Sequence, residues 1–194
     1  MNEPTRSLIY TAAQVQDAVK KVAAEVLIWL HLESHERLEL LSVLEGARPF
    51  TRDLMRELTN TLPSLKVRIH EVRVKGTAGT HLMEKRQQDW SGVDWEGLKG
   101  APVLIVDDLV DSGKTLRMLK AELTGKGVEA RTAVLIRKYG KDSFPLDFCG
   151  FELALSHEEL KEKGLKDRWL YGYGMDLDGT QRELDHIGWL EIPA

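Results

Sequence analysis

Cysteine is almost absent: Cys149 is the single one in 194 residues. No intrachain disulfide can form, which points to a reducing compartment. Long apolar runs are missing too. Stretches such as Val26 to Leu30 and Val103 to Val106 fall far short of the roughly 20 residues that span a bilayer. The first ten residues, MNEPTRSLIY, show no basic region followed by an apolar one, so no secretory signal is expected and a cytoplasmic location is. Charge of one sign is scarce: 27 Lys plus Arg stand against 31 Asp plus Glu, for a net charge of -4. That balance leaves no footprint for broad nucleic-acid or anionic-membrane binding, yet it allows a local phosphate pocket. There is no internal repeat and no low-complexity tract. What is present, 42% hydrophobic and 30% charged residues, fits a globular chain with one core.

The pattern alternates between helix and strand periods. Thr11 and Gln14 form a T-x-x-Q capping box. Val15, Val19, Val22, Val26 and Leu30 follow at helical spacing. Leu38 to Leu44 reads as a buried strand ending at Glu45-Gly46. Phe50, Leu54 and Leu58 mark a second helix, with Pro49 suited to its first turn. Leu65, Val67 and Ile69 alternate as in a strand. Val72 and Val74 continue one residue out of phase, so a bulge near His70-Glu71 is expected. From Lys75 to about Gly100 periodicity fails, which predicts a functional loop. Pro102 to Val106 is a strand, and Leu116, Leu119 and Leu123 mark a helix closed by Gly125 and Gly127. Ala133 to Ile136 and Phe148 to Phe151 are further strands. Ser156 and Glu159 form a second capping box, and Trp169 to Tyr171 is a last short strand. The sum is an α/β protein with a mainly parallel sheet and helices on its faces.

The strongest chemical signal is Val103-Leu104-Ile105-Val106-Asp107-Asp108-Leu109-Val110-Asp111-Ser112-Gly113-Lys114-Thr115-Leu116. A buried strand ends in two adjacent carboxylates, and a D-S-G-K-T loop then opens a helix. Backbone N–H groups and the helix dipole make such a loop an anion site, to which Ser112 and Thr115 add hydroxyl donors. Asp107 and Asp108 would repel that anion. They suit sugar hydroxyls or Mg²⁺ held between them, so a sugar phosphate is the implied ligand. A nucleotide P-loop is excluded, because G-x-x-x-x-G-K-[ST] requires glycine at 108 and Asp108 stands there. The plain alternative is that the two acids end a strand and Asp111 caps a helix.

The stretch from Leu104 to Leu116 resembles the phosphoribosyl pyrophosphate (PRPP) signature of type I phosphoribosyltransferases. Trp169-Leu170-Tyr171-Gly172-Tyr173-Gly174-Met175-Asp176, with Arg182 and Ile187-Gly188 beyond it, is similar to the C-terminal region of hypoxanthine-guanine phosphoribosyltransferases. Val43-Leu44-Glu45-Gly46 followed by Phe50 resembles their pyrophosphate loop. Lys138 and Asp147 to Phe151 match as well, and the likeness runs from about Thr11 to Leu190. It implies one domain over 1–194, a core over about 36–150, and a hood from the N-terminal segment and about 150–194.

The resemblance also implies roles. Asp107 and Asp108 would bind the ribose 2- and 3-hydroxyls, while Asp111, Ser112, Gly113, Lys114 and Thr115 cradle the 5-phosphate. Leu44, Glu45, Gly46 and Arg182 would meet pyrophosphate. Lys138 would donate to the purine O6, Trp169 would cover the ring, and carbonyls near Leu170 and Asp176 would read its edge; Gly172 and Gly174 allow close backbone approach. Asp107, Asp108 and Asp176 would help to hold Mg²⁺. Asp111 would be the catalytic acid/base beside N7. The implied reaction is purine salvage, with PRPP and a 6-oxopurine giving the nucleoside 5-monophosphate and pyrophosphate. The expected partners are these substrates and further copies in a homodimer or homotetramer, without nucleic acid or membrane. A non-catalytic PRPP or nucleotide sensor, and an enzyme for xanthine or another base, are the alternatives.

Three departures stand out. Glu45 occupies a position that is usually lysine in the family, which is unfavourable beside pyrophosphate unless metal or Arg48 compensates. Between Lys75 and Arg86 the family's Ser-Tyr pair is missing, although loop closure there is still expected to exclude water. Leu153 to Arg168 is about a dozen residues longer than the usual link; it either reshapes base access or is a surface helix, the latter being the expected reading.

Overall fold

The computed structural model describes residues 5–75, 87–138, 144–153 and 157–193. In chain order the elements are β1 (Thr5–Tyr10), α1 (Ala12–Leu32), β2 (Arg37–Leu44), α2 (Arg48–Thr61), β3 (Lys66–Lys75), β4 (Gln87–Gly92) and α3 (Trp95–Leu98). Then follow β5 (Val103–Val110), α4 (Lys114–Gly125), β6 (Ala130–Lys138), β7 (Phe148–Leu153), α5 (His157–Glu162), β8 (Leu165–Tyr171) and β9 (Ile187–Pro193).

The capping box at Thr11 forms: its hydroxyl accepts from Gln14 N at 3.3 Å, and the Gln14 side chain accepts from Thr11 N at 2.9 Å. The valine stripe of α1 and the Phe50-Leu54-Leu58 stripe of α2 are buried on one face of the main sheet. Leu98 of α3 and Leu116, Leu119 and Leu123 of α4 are buried on the other. Each such side chain contributes about 1.5–3 kcal/mol on leaving water. The main sheet has six strands in the order β4-β3-β2-β5-β6-β7, all neighbours parallel except β4 against β3.

Two expectations need correction. The out-of-phase valines need no bulge against β2, whose ladder with β3 is continuous from Arg37↔Lys66 to Leu44↔Arg73. Val67 and Ile69 join the core that contains α1 and α2, whereas Val72 and Val74 join the core on the other face, with α3 and α4, so the phase change is a change of face. The irregularity lies in the β3–β4 pairing, between Glu71 and Arg73. At the change of face, buried His70 accepts from Asp94 N at Nδ1, which leaves the ring proton on Nε2 to meet Glu39 Oε2 at 2.9 Å. Secondly, part of the stretch from Lys75 to Gly100 is ordered as β4 and α3. A largely exposed edge strand and a helix of one turn carry too little periodicity to be read. Residues 76–86, with the expected mobile loop, lie outside the described residues, as does Ser156 of the second capping box.

A second sheet, in the order β1-β9-β8, is antiparallel and has three strands. Neither β1 nor β9 was expected, and β8 starts four residues before Trp169. This sheet shares the first core, since Leu170, Tyr173, Met175 and Ile187 join the cluster under α1. Tyr10 stacks on Phe151 with ring centroids 3.7 Å apart, and Tyr173 donates to Asp53 Oδ2 at 2.6 Å. The small sheet is thereby fixed against α2 and the edge of the main sheet. Among the described residues no helix is long and apolar enough to cross a membrane.

Candidate active site

The chain leaves β2 towards β3 and returns on its other side as β5, so the strand order reverses between them. At such a point the loops after neighbouring strands part and open a crevice. Here the Leu44-Glu45-Gly46 loop meets the Asp107 to Thr115 segment. Gly46 must be small: a Cβ there would lie 2.0 Å from Asp108 Oδ2. The second sheet closes in on the same point, because a Cβ on Gly174 would lie 2.0 Å from Gly46 O, which bears out the need for small residues in this turn.

A cavity of about 320 Å³ fills the crevice, a size suited to a small ligand. It brings together Gly46, Asp108, Asp111, Lys138, Trp169, Leu170, Asp176 and Arg182 of the expected set. It also includes Leu109, Asp167, Arg168 and Met175, which sequence reading missed. Asp167 left little signal, since its partner is 29 residues away on another sheet.

The Asp107 to Thr115 segment flanks this cavity. β5 runs through Asp107 and Asp108 to Val110, longer than the expected strand. Asp107 is buried, away from the cavity lining, and its Oδ1 accepts from Asp108 N at 3.1 Å. Asp108 reaches the cavity. Burial pushes its carboxyl above the usual range, opposed by hydrogen bonds from Asp107 and the backbone and by the Arg182 charge. Asp111 is exposed at the mouth and caps nothing; the N-cap of α4 is Gly113, at φ +71°, with no side-chain cap. An anion there would meet the first-turn N–H groups of Ser112 to Thr115 and the positive end of α4.

At the far end, Lys138 Nζ donates to Asp167 Oδ1 at 2.7 Å and to the Arg168 carbonyl at 2.9 Å. Arg168 itself points away, stacked on Trp189 at 4.0 Å and paired with Glu191 at 2.7 Å. Trp169 is half exposed, and its Nε1 donates to the Asp176 carbonyl at 3.0 Å. That carbonyl keeps one lone pair for a ligand. Arg182 donates to the Gly174 carbonyl and pairs with Asp176 Oδ1 at 2.6 Å, while Asp176 Oδ2 accepts from Gly179 N at 2.9 Å.

In the Leu44-Glu45-Gly46 loop the Glu45 carboxylate does not stand alone. Glu45 pairs with Arg48 at 3.2 Å and with Arg73 at 2.6 Å. Arg48 is one of the two compensating partners expected, the other being a metal, and Arg73 adds a second cation that sequence reading did not consider. The Leu44–Glu45 peptide is cis.

Among the described residues no three His, Cys, Asp or Glu side chains converge as a metal cage. Asp108 and Asp176 nevertheless both line the cavity. Two hard oxygen donors fit a Mg²⁺ ion completed mainly by substrate oxygens and water. Buried Asp107 fits that ion less well, standing off the cavity.

Fold and crevice define a class. Residues 11–156 match the phosphoribosyl transferase domain, and the chain belongs to that family. Its likeness extends to particular members. It is 27% identical over 195 residues to the hypoxanthine-guanine phosphoribosyltransferase of Dictyostelium discoideum, covering 96% of each chain. It is 26% identical to that of Mycobacterium bovis (96% of this chain, 86% of the relative). It is 27% identical to the hypoxanthine-guanine-xanthine phosphoribosyltransferase of Plasmodium falciparum (89% and 71%). The Trypanosoma cruzi hypoxanthine phosphoribosyltransferase in complex with the product IMP superposes with a TM-score of 0.76 at 25% identity, covering 93% of this chain and 91% of that one.

Proposed function

We propose that the protein transfers the 5-phosphoribosyl group of PRPP to N9 of guanine or hypoxanthine, releasing pyrophosphate and the nucleoside 5-monophosphate. The observation that carries this reading is the single cavity in which Asp108 and Asp111 of the β5 end face Lys138 and Trp169. A phosphate on the α4 N-terminus would place the ribose over Asp108 and the base towards Lys138.

The chemistry is displacement at ribose C1 with inversion, through an oxocarbenium-like transition state, so both fragments must be held in line. Trp169, Leu170 and Met175 wall the purine. Lys138 donates to O6. Asp111 holds or moves the proton at N7. Asp108 accepts from the ribose hydroxyls, and buried Asp107 supports it through the Asp108 N–H. The N–H groups of the Leu44-Glu45-Gly46 loop and Arg182 receive pyrophosphate. When bound, Mg²⁺ neutralises the leaving group, with Asp176 and Asp108 to hold it.

The test is pyrophosphate release from PRPP and Mg²⁺ with guanine, hypoxanthine, xanthine and adenine. Guanine and hypoxanthine are expected to turn over fastest. Release with none of the four, despite PRPP binding, would replace the enzyme by a sensor. We expect a homodimer or homotetramer in a cytoplasmic setting, with Ile28, Leu32 and Leu62, exposed on α1 and after α2, as surface to cover; sedimentation checks the assembly.

A further inference from the structure

Asp167 lines the base cavity, yet no step above uses it. Its Oδ1 accepts from Lys138 Nζ at 2.7 Å and also from Arg168 N at 2.7 Å. An ammonium has three N–H donors. Here β8 engages two of them, one through Asp167 and one through the Arg168 carbonyl. Among the described residues nothing takes the third, which is left for the cavity. The Lys138 side chain is only 12% exposed, so its stem is enclosed as well as its head. The Asp167 side chain is 42% exposed, and an ion pair so wet contributes little to stability. A purely stabilising role therefore leaves the arrangement unaccounted for.

We infer that Asp167 is a positioning residue for base selection: it clamps Lys138 so that the remaining N–H points at the 6-position of the purine. This rests on the function proposed above. An oxygen at that position accepts the bond. An amino group would set N–H against N–H, and a clamped lysine cannot swing away from it. The clamp thus sharpens both the acceptance of 6-oxopurines and the rejection of 6-aminopurines.

The test is a double-mutant cycle with Asp167→Ala, Lys138→Ala and the pair. Each is scored by KM for hypoxanthine, KM for PRPP, and the ratio of kcat/KM for hypoxanthine to that for adenine. Asp167→Ala is expected to raise the hypoxanthine KM about tenfold and lower the ratio, with the PRPP KM within about twofold. In the Lys138→Ala background the same change should have no further effect. Asp167→Asn keeps an acceptor oxygen for both donors and should recover most of the loss. Asp167→Ser, too short to reach both donors, carries the cycle if the alanine variant does not fold. Additive losses in the double variant, or equal rises in both KM values, would mean that Asp167 only supports β8. If wild type turns over and Lys138→Ala alone damages base use, this inference falls while the proposed function stands. If wild type releases no pyrophosphate with any purine, the proposed function falls and takes the clamp with it.

Discussion

The two ends of the crevice neutralise their own charges in contrasting ways. At the base end, Lys138 is enclosed and meets Asp167 from a different sheet. At the pyrophosphate end, Glu45 meets Arg48 and Arg73 with all three side chains between 35% and 47% exposed. The Lys138 ammonium is enclosed and held by two acceptors of β8, so its direction is fixed and it orients a ligand, although its partner Asp167 is itself 42% exposed. An exposed pair exchanges readily with water and salt, so it sets the local charge more than any direction. Variants at the enclosed end should therefore change which base reacts, and those at the exposed end how tightly polyphosphate binds.

The largest effect is expected from Asp111, between the two ends. Asp111→Asn should lower turnover by a factor of about 10² or more, with PRPP affinity changed much less, if this carboxylate moves or holds the N7 proton. Thr115→Ala should do the reverse and weaken PRPP. Single-turnover kinetics beside PRPP titration separates the two, and near-normal turnover in Asp111→Asn would remove the acid/base assignment. Next comes Lys138→Ala. Loss of a donor to a buried purine oxygen should cost about 1.5–3 kcal/mol in base use and leave PRPP binding nearly intact. Equal loss for PRPP and for every base would erase the contrast between the ends.

How much of this was legible in sequence follows the range of each signal. The phosphate segment is one continuous run from Leu104 to Leu116, so its strand, loop and helix are all local facts. The valine stripe of α1 and the capping box at Thr11 are local too. The clamp on Lys138 is not local, because β8 reaches β6 only through the packing of two sheets. Likewise Arg73 meets Glu45 because β2 and β3 pair in parallel, and nothing near Glu45 announces it. β1 and β9 escaped notice because β1 is largely exposed and β9 only partly buried, so neither alternates cleanly.

Asp108 sharpens the comparison on the stability side. Burial raises its carboxyl pKa in the folded protein above the ordinary 3.8, so the folded state holds the proton more tightly than the unfolded chain does. Its contribution is therefore fully present below about the ordinary carboxylate range and is lost as pH rises through the raised value. Asp108→Asn removes that loss and should stabilise the protein at neutral pH. The gain should shrink on acidification, while ribose binding weakens at every pH. Thermal unfolding as a function of pH is the measurement. A gain that grows in acid would mean that the ionised carboxylate is favoured in the fold, chiefly by its hydrogen bond with Asp107.

The smallest effect belongs to Glu45, and its sign is the informative part. Glu45→Gln removes two exposed ion pairs, each worth about 0.2–1 kcal/mol, so stability should fall only slightly. The same change deletes a negative charge beside the polyphosphate path and releases Arg48 and Arg73 from their shared partner, although Arg48 keeps Glu71 at 3.3 Å. Two unit charges about 4 Å apart interact by about 1 kcal/mol in water, so pyrophosphate should bind about threefold to tenfold more tightly. Because the groups are exposed, the gain should fade as salt rises towards about 1 M, where screening acts over roughly 3 Å. The Lys138→Ala effect on base use, made in an enclosed site, should keep its size over the same range. Titrating both variants against salt puts the two ends on one axis. Equal salt dependence would mean that the enclosed ammonium and the exposed pairs do the same job, and an unchanged pyrophosphate affinity at low salt would place Glu45 outside the polyphosphate path.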